Sequence, residues 1–272
     1  MLQAVDLWYG YTAEPVLRAV NLSVQPGALV GILGPNGSGK TTLLRLLAGV
    51  LRPTRGRVML GGVSVGAIPR TLVARRMAVV PQETHLAFDY TALEIALMGR
   101  YPHLGRFELE GPDDLAIALG ALAATGTEML SHRSFMTLSG GEKQRVIIAS
   151  ALAQLRSSGA PETSGSETLL LDEPTASLDL GYQLEVAGIL RRLNTEHGLA
   201  IVVSTHDLNF AAAVCRELVL IRDGQVITAG PTDAVLTPEA VAALYGVEAD
   251  VHRHERTGHL TVVPTERIGR TT

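Results

Sequence analysis

The stretch "GILGPNGSGKTTL", residues 31–43, decides the fold. It begins inside an apolar run, "ALVGIL" (28–33), with the composition of a buried strand. It ends inside "KTTLLRLLAGVL" (40–51), which has helical spacing. Between the two, the chain fits G-x-x-x-x-G-K-[ST], with Gly34, Gly39, Lys40 and Thr41 in the defining places. In the loop Gly34, Pro35, Asn36, Gly37, Ser38 and Gly39, the glycines let the backbone wrap tightly, so that consecutive N–H groups point at phosphate oxygens. The start of the following helix adds its partial positive charge at the same spot. Lys40 is expected to reach the β- and γ-phosphates and the Thr41 hydroxyl to ligate Mg2+, with Thr42 part of the same phosphate-binding set. The stretch predicts a nucleoside triphosphate site.

The second half of such a site is an apolar strand that ends in acid, and "TLLLDEP" (168–174) supplies it. Asp172 is expected to hold Mg2+ through its water shell, and Glu173 to orient or polarise the attacking water. The chemistry so predicted is hydrolysis at the γ-phosphate. Around these two segments the chain reads as mixed α/β. "VLRAVNLSV" (16–24), "RVMLGG" (57–62), "MAVVP" (77–81) and "AIVVSTHD" (200–207) are further strands. From about Thr91 the character turns helical through "TALEIALMG", "PDDLAIALGALAAT" and "GGEKQRVIIASALAQL", before returning to α/β. "RSSGAPETSGSE" (156–167) reads as a surface loop, and "VEADVHRHERTGHLTVVP" (247–264) as two short strands around a turn at Arg256–Gly258.

Composition narrows the function. The 272 residues are 46% hydrophobic, and 23 Lys+Arg against 27 Asp+Glu give a net charge of −4, which argues against nucleic acid as a partner. Cys215 is the single cysteine, so an intramolecular disulfide is excluded. The opening "MLQAVDLWYG" lacks the basic-then-apolar pattern of a secretory signal, and no apolar stretch approaches the roughly 20 residues of a membrane span. Any membrane role is therefore expected to run through a partner. His252 and His254 alternate in an expected strand with His259 across the turn; an exposed polar hairpin is the reading preferred to a metal site. Cys215 reads as a packed small residue, and Arg75 and Arg76 as the solvated end of a helix.

"LSGGEKQR" (138–145) is more specific. Ser139, Gly140 and Gly141 open a helix, a second ready-made anion site. Here the chain resembles the ATP-binding cassette (ABC) ATPases over nearly its whole length. The matching pieces occur in the family's order: "GPNGSGKTT", Gln82 in "VVPQE", "LSGGE", "LLLDEP", "SLD" (177–179) and His206 in "STHD". The resemblance implies an α/β P-loop NTPase core of the RecA-like type, with an antiparallel β subdomain and an inserted α-helical subdomain. The implied boundaries are 1–84 and 155–246 for the ATP-binding core, 85–154 for the helical subdomain and 247–272 for a hairpin tail. It implies a homodimer in which Ser139, Gly140 and Gly141 serve the partner's ATP and Asp179 organises the contact between the two sites. Gln82 is implied to sense Mg2+ and His206 to contact the γ-phosphate, with Glu173 as the catalytic carboxylate. An aromatic near the N-terminus is implied to stack on adenine; Tyr11 has better spacing to "PVL" than Tyr9.

"GRYPH" (99–103) resembles a pattern of cassettes that serve importers of ferric siderophores, haem and cobalamin, as does "LTPEAVAALYGVEADV" followed by a hairpin. That resemblance implies integral membrane permease subunits as partners, an extracytoplasmic substrate-binding protein acting indirectly, and a place on the cytoplasmic face of the cell membrane. Arg100 and His103 are then expected to face the permease. Another ABC importer or exporter, or a soluble cassette ATPase, are the alternative readings.

Overall fold

In the computed structural model, which describes residues 1–84, 86–157 and 167–269, the chain forms three sheets. β1 (Leu2–Tyr9) and β2 (Leu17–Val24) pair antiparallel, and β3 (Leu29–Leu33) then runs into α1 (Lys40–Leu47). β4 (Arg55–Leu60) and β5 (Val63–Ser64) complete a four-stranded antiparallel sheet in the order β2-β1-β4-β5. α2 (Arg70–Arg76) leads into β6 (Met77–Val80), which is followed by α3 (Ala92–Met98), α4 (Pro112–Ala124) and α5 (Gly140–Leu155). β7 (Thr168–Asp172), α6 (Leu180–His197), β8 (Ala200–Thr205), α7 (Leu208–Val214) and β9 (Glu217–Arg222) then alternate. The chain continues through β10 (Gln225–Pro231), α8 (Thr232–Val235), α9 (Pro238–Tyr245) and an antiparallel hairpin of β11 (Val247–Arg253) and β12 (Leu260–Arg267).

The central sheet has the order β10-β9-β3-β8-β7-β6 and is parallel except for β10 on one edge. A parallel sheet needs cover on both faces, and the strands show it by alternation. Leu29, Leu33, Leu169, Leu171, Ile201 and Val203 pack with the helices α3 to α7 on one face. Val30, Ile32, Leu170, Ala200 and Val202 pack with α1 and the antiparallel sheet on the other. In the parallel register Leu33 lies opposite Thr205 and Asp172 opposite Ser204. The carboxyl ends of β3, β7 and β8 therefore meet at one edge, where open α/β sheets place their ligands.

Local differences from the sequence reading have physical causes. α1 stops at Leu47 because Gly49 takes φ +69, and Val50 and Leu51 both donate to the Arg45 carbonyl. His254 lies past the end of β11 and does not share a strand face with His252; its Nδ1 accepts from the N–H groups of Arg256 and Thr257, closing the turn. The expected loop at 156–167 lies outside the described residues except for Arg156, Ser157 and Glu167. Cys215 is packed as expected, and burial pushes its thiol up to about 12.

The reading of "GRYPH" needs correction. Arg100 is fully buried at the junction of α3, α4 and α5, not on a docking surface. Its Nε meets Asp114 Oδ1 at 2.9 Å, and its guanidinium also donates to the carbonyls of Ala153, at 2.6 Å, and Arg156. His103 Nε2–H donates to the Gln154 carbonyl at 2.8 Å. Both side chains thus satisfy carbonyls in the last turn of α5, groups that have no partner within the helix. Arg75 is likewise not a solvated helix end, because its Nε donates to the Pro102 carbonyl at 2.8 Å. With Gln154 Nε2 on the carbonyls of Ala74 and Met77, that contact ties the α3–α5 lobe to α2 and β6.

Candidate functional site

The loop after β3 has the tight wrap its glycines predict. A Cβ on Gly34 would stand 2.2 Å from the Ile221 carbonyl oxygen and 2.6 Å from Ser38 Oγ. Gly39 adopts φ +103, with Leu17 packed against the place a side chain would take. Lys40, only 5% exposed, donates from Nζ to the carbonyls of Gly34 at 2.9 Å and Pro35 at 3.2 Å. Ser38 Oγ is buried without a hydrogen-bond partner. A cleft of about 370 Å³ opens here, lined by Asn36, Gly37, Gly39, Lys40, Thr41, Thr42, Gln82 and Glu173 together with Val16. Loop and the end of β7 are thus brought together, as the pairing of the two motifs predicts. Tyr11 stands beside this cleft, 57% exposed, edge-on to Tyr9 at 5.0 Å and with its hydroxyl 3.5 Å from Thr42 Oγ1.

At the end of β7, Asp172 is buried and accepts from Ser204 Oγ at 2.6 Å. Glu173 follows in a left-handed conformation, φ +47, its N–H shared between the carbonyl and hydroxyl of Ser204 at 3.0 and 3.1 Å. The turn aims its carboxylate back over the loop. Glu173 Oε1 is 3.2 Å from Lys40 Nζ, and Oε2 is 3.1 Å from His206 Nδ1. His206 itself is 54% exposed, on the link between β8 and α7. Lys40, Glu173 and His206 form a continuous chain of charge-assisted hydrogen bonds. Ser204 was not singled out by the sequence, although it stands two residues before His206 and opposite Asp172 in register.

The second anion site stands apart. Ser139 caps α5: its hydroxyl accepts from Glu142 N at 3.3 Å, and Glu142 Oε2 accepts from Ser139 N at 2.8 Å. That backbone donor holds the Glu142 carboxyl below its usual range. Gly141 admits Tyr182, because a Cβ there would lie 2.2 Å from the ring; the Tyr182 hydroxyl takes a hydrogen bond from Ser139 Oγ at 3.3 Å. Asp179 starts α6 without a side-chain cap and is exposed, after a turn in which Ser177 takes φ +62. Ser139, Gly140, Gly141 and Asp179 are not among the residues that line the cleft at Lys40. Tyr182 has no motif of its own; the only trace of it in the sequence is a glycine where a helix would otherwise carry a side chain.

Residues 17–176 match the ABC transporter family. The chain belongs to that family. It is therefore an ATP-binding cassette whose hydrolysis is coupled to transport. It is 44% identical over 264 residues to a hemin import ATP-binding protein of Gloeobacter violaceus, covering 97% of this chain and 94% of the relative. It is 42% identical over 250 residues to a cobalamin import ATP-binding protein of Halobacterium salinarum, covering 92% of this chain and 60% of that one. Among solved structures, an inward-facing ABC transporter described as of metal-chelate type superimposes with a TM-score of 0.82 at 30% identity, covering 97% and 96% of the two chains. The cassette's mixed architecture of antiparallel sheet, parallel sheet and helical lobe is the one the resemblance implies. Among the described residues no helix is long and apolar enough to cross a membrane.

Proposed function

We propose that this cassette is the ATP-hydrolysing subunit of an importer for haem, a ferric siderophore or cobalamin. The observation that carries the catalytic part is the Lys40–Glu173–His206 chain across the mouth of the phosphate loop. The loop residues Gly34 to Thr42 would cradle the phosphates of ATP, with Ser38 Oγ and Lys40 Nζ as donors and Tyr11 against adenine. Thr41, Asp172 and Gln82 offer only oxygen ligands, a set that fits Mg2+. When bound, the ion would neutralise charge on the phosphates. Ser204 holds the Asp172 carboxylate in one orientation. Glu173 would exchange its contact with Lys40 for the attacking water, and His206 would reach the γ-phosphate.

Ser139, Gly140, Gly141 and Asp179 would complete the ATP site of a second copy, making the working unit a homodimer with residues 1–84 and 155–246 as its core. The names of the relatives support import of haem or a corrinoid, and with it a place on the cytoplasmic face of the membrane beside permease subunits. A substrate-binding protein outside would deliver the cargo, and no nucleic acid would take part. With Arg100 and His103 turned inward, Tyr101, Phe107 and Leu109, at 58%, 93% and 83% exposure, are among the exposed apolar groups that lobe 85–154 would offer a permease.

The test is Glu173→Gln. The variant should bind ATP, lose hydrolysis by about 100-fold or more and elute as a dimer with Mg-ATP. A variant that stays monomeric and turns over normally refutes the assignment. Reconstitution with permease subunits, scoring stimulation by haem, ferric chelates and cobalamin, identifies the cargo.

A further inference from the structure

His206 is more than half exposed, so packing does not hold its ring in place. Besides the Glu173 carboxylate at its Nδ1, what fixes it is the backbone of a two-residue link between Thr205 and Leu208. On one side the Asp207 N–H is bound by Thr205 Oγ1 at 3.0 Å. On the other, Asp207 Oδ1 caps α7 by accepting from the N–H groups of Asn209 and Phe210, each at 2.9 Å. The remaining handle is the carbonyl of His206 itself, and it is taken from outside the motif: Tyr245 Oη donates to it at 3.0 Å.

Tyr245 is the last residue of α9, which closes with Gly246 in the left-handed region at φ +67. Burial, and then the nearby carboxylates of Asp207 and Glu173, push the Tyr245 hydroxyl up from its ordinary value, so it remains a donor. The hairpin adds a second hold three residues further on. Asn209 Oδ1 accepts from Val262 N at 2.8 Å, and Asn209 Nδ2 donates to the Val262 carbonyl at 3.2 Å, pairing an α7 side chain with the main chain of β12. β12 is not a loose arm, because Val262 is 2% exposed and Ala249 of β11 is 7% exposed within the main core.

We propose that α9 and the β11–β12 hairpin act as a brace for the catalytic edge, with Tyr245 a positioning residue that works through the His206 carbonyl. The inference rests on the reading of His206 as the group that meets the γ-phosphate. Neither Tyr245 nor Asn209 lines the phosphate-loop cleft, so the brace serves turnover and not ATP capture.

The experiment measures ATP hydrolysis by the purified full chain in Tyr245→Phe, Asn209→Ala, His206→Ala and the Tyr245→Phe/His206→Ala pair. Tyr245→Phe removes only the hydroxyl and is expected to lower kcat by about three- to tenfold, with KM for ATP within about twofold. In the His206→Ala background the same change should have no further effect, a coupling that a purely structural role would not produce. Asn209→Ala, which frees β12 without touching the hydroxyl, is expected to give the same loss in kcat with KM unmoved. An unchanged kcat in both single variants, or equal losses for Tyr245→Phe with and without His206, overturns the brace. A His206→Ala enzyme of undiminished kcat overturns the reading of the histidine beneath it and the brace with it.

Discussion

Substituting Arg100 separates two accounts of the helical lobe. If Arg100 faced a permease, Arg100→Ala would leave the isolated chain as stable as before and weaken only docking. The structure requires the opposite. Arg100 is 0% exposed and its partner Asp114 is 14% exposed, so the substitution strands a carboxylate and removes the donor from the carbonyls of Ala153 and Arg156. Breaking a buried pair by removing one partner costs about 3–5 kcal/mol. For a chain of this size each kcal/mol moves the melting midpoint by about 2–4 °C, so Arg100→Ala should melt about 6–20 °C lower. Arg100→Ala/Asp114→Ala should regain part of the loss, since no unpaired carboxylate is left. Arg100→Lys should fall between, because an ammonium has no planar fork to span the carboxylate and two carbonyls. The assay is thermal unfolding by circular dichroism, with permease binding measured in parallel. A midpoint for Arg100→Ala within about 2 °C of wild type, together with lost permease binding, refutes the buried-keystone account.

The remaining predictions concern the same lobe and the start of α5. Gly141→Ala drives a Cβ to 2.2 Å from the Tyr182 ring, an overpacking worth about 1–3 kcal/mol, so Tm should drop and ATPase activity fall. Tyr182→Ala in that background should restore the midpoint, and an unaltered Tm for Gly141→Ala alone would remove the contact from the account. Acidification should also loosen the lobe. Burial, with the charges of Arg100 and Arg75, holds the His103 imidazole below its ordinary 6.5 despite the opposing hydrogen bond to Gln154. As pH falls below that value the unfolded chain takes up the proton first, so the stability is intact above it and is lost as pH falls through the folded value. Wild-type Tm should therefore decline more steeply from about pH 7 to about pH 5 than that of His103→Gln, which keeps a donor for the Gln154 carbonyl; parallel curves would show that His103 carries no such linkage.

Much of the fold and of the candidate site was legible because each depends on local pattern. The β3-loop-α1 unit, the acidic end of β7 and the run of lobe helices carry their periods and glycines within short windows. What the sequence did not carry are contacts between residues far apart in it. Ser204 meets Asp172 through the register of two parallel strands, Tyr182 meets Gly141 through the packing of α6 on α5, and Tyr245 meets His206 through the return of α9 to the sheet edge. Each partner is an ordinary residue in its own surroundings. Only the Gly141 position leaves a mark, and that mark says that something approaches without saying what.

The misreading of Arg100 has a different cause, and one that sequence reasoning can absorb. Charged side chains are almost never fully buried unless paired, so an arginine in a Gly/Pro-punctuated link reads as surface. The contrary signal lies at the end of α5, not beside the arginine. α6 and α9 each stop at a glycine in the left-handed region, Gly198 and Gly246, which turns the chain so that its own N–H groups meet the last carbonyls. α5 stops at Arg156 in an extended conformation, with no such glycine. Its terminal carbonyls need donors from elsewhere, and Ala151, Leu152, Ala153 and Leu155 at its end are buried, so water cannot supply them all. The donors come from the "GRYPH" segment: Arg100 for Ala153 and Arg156, His103 for Gln154. A long helix with a buried end and no closing glycine asks for a cation, and a nearby link rich in arginine and histidine is where to look for it before assigning those charges to a partner.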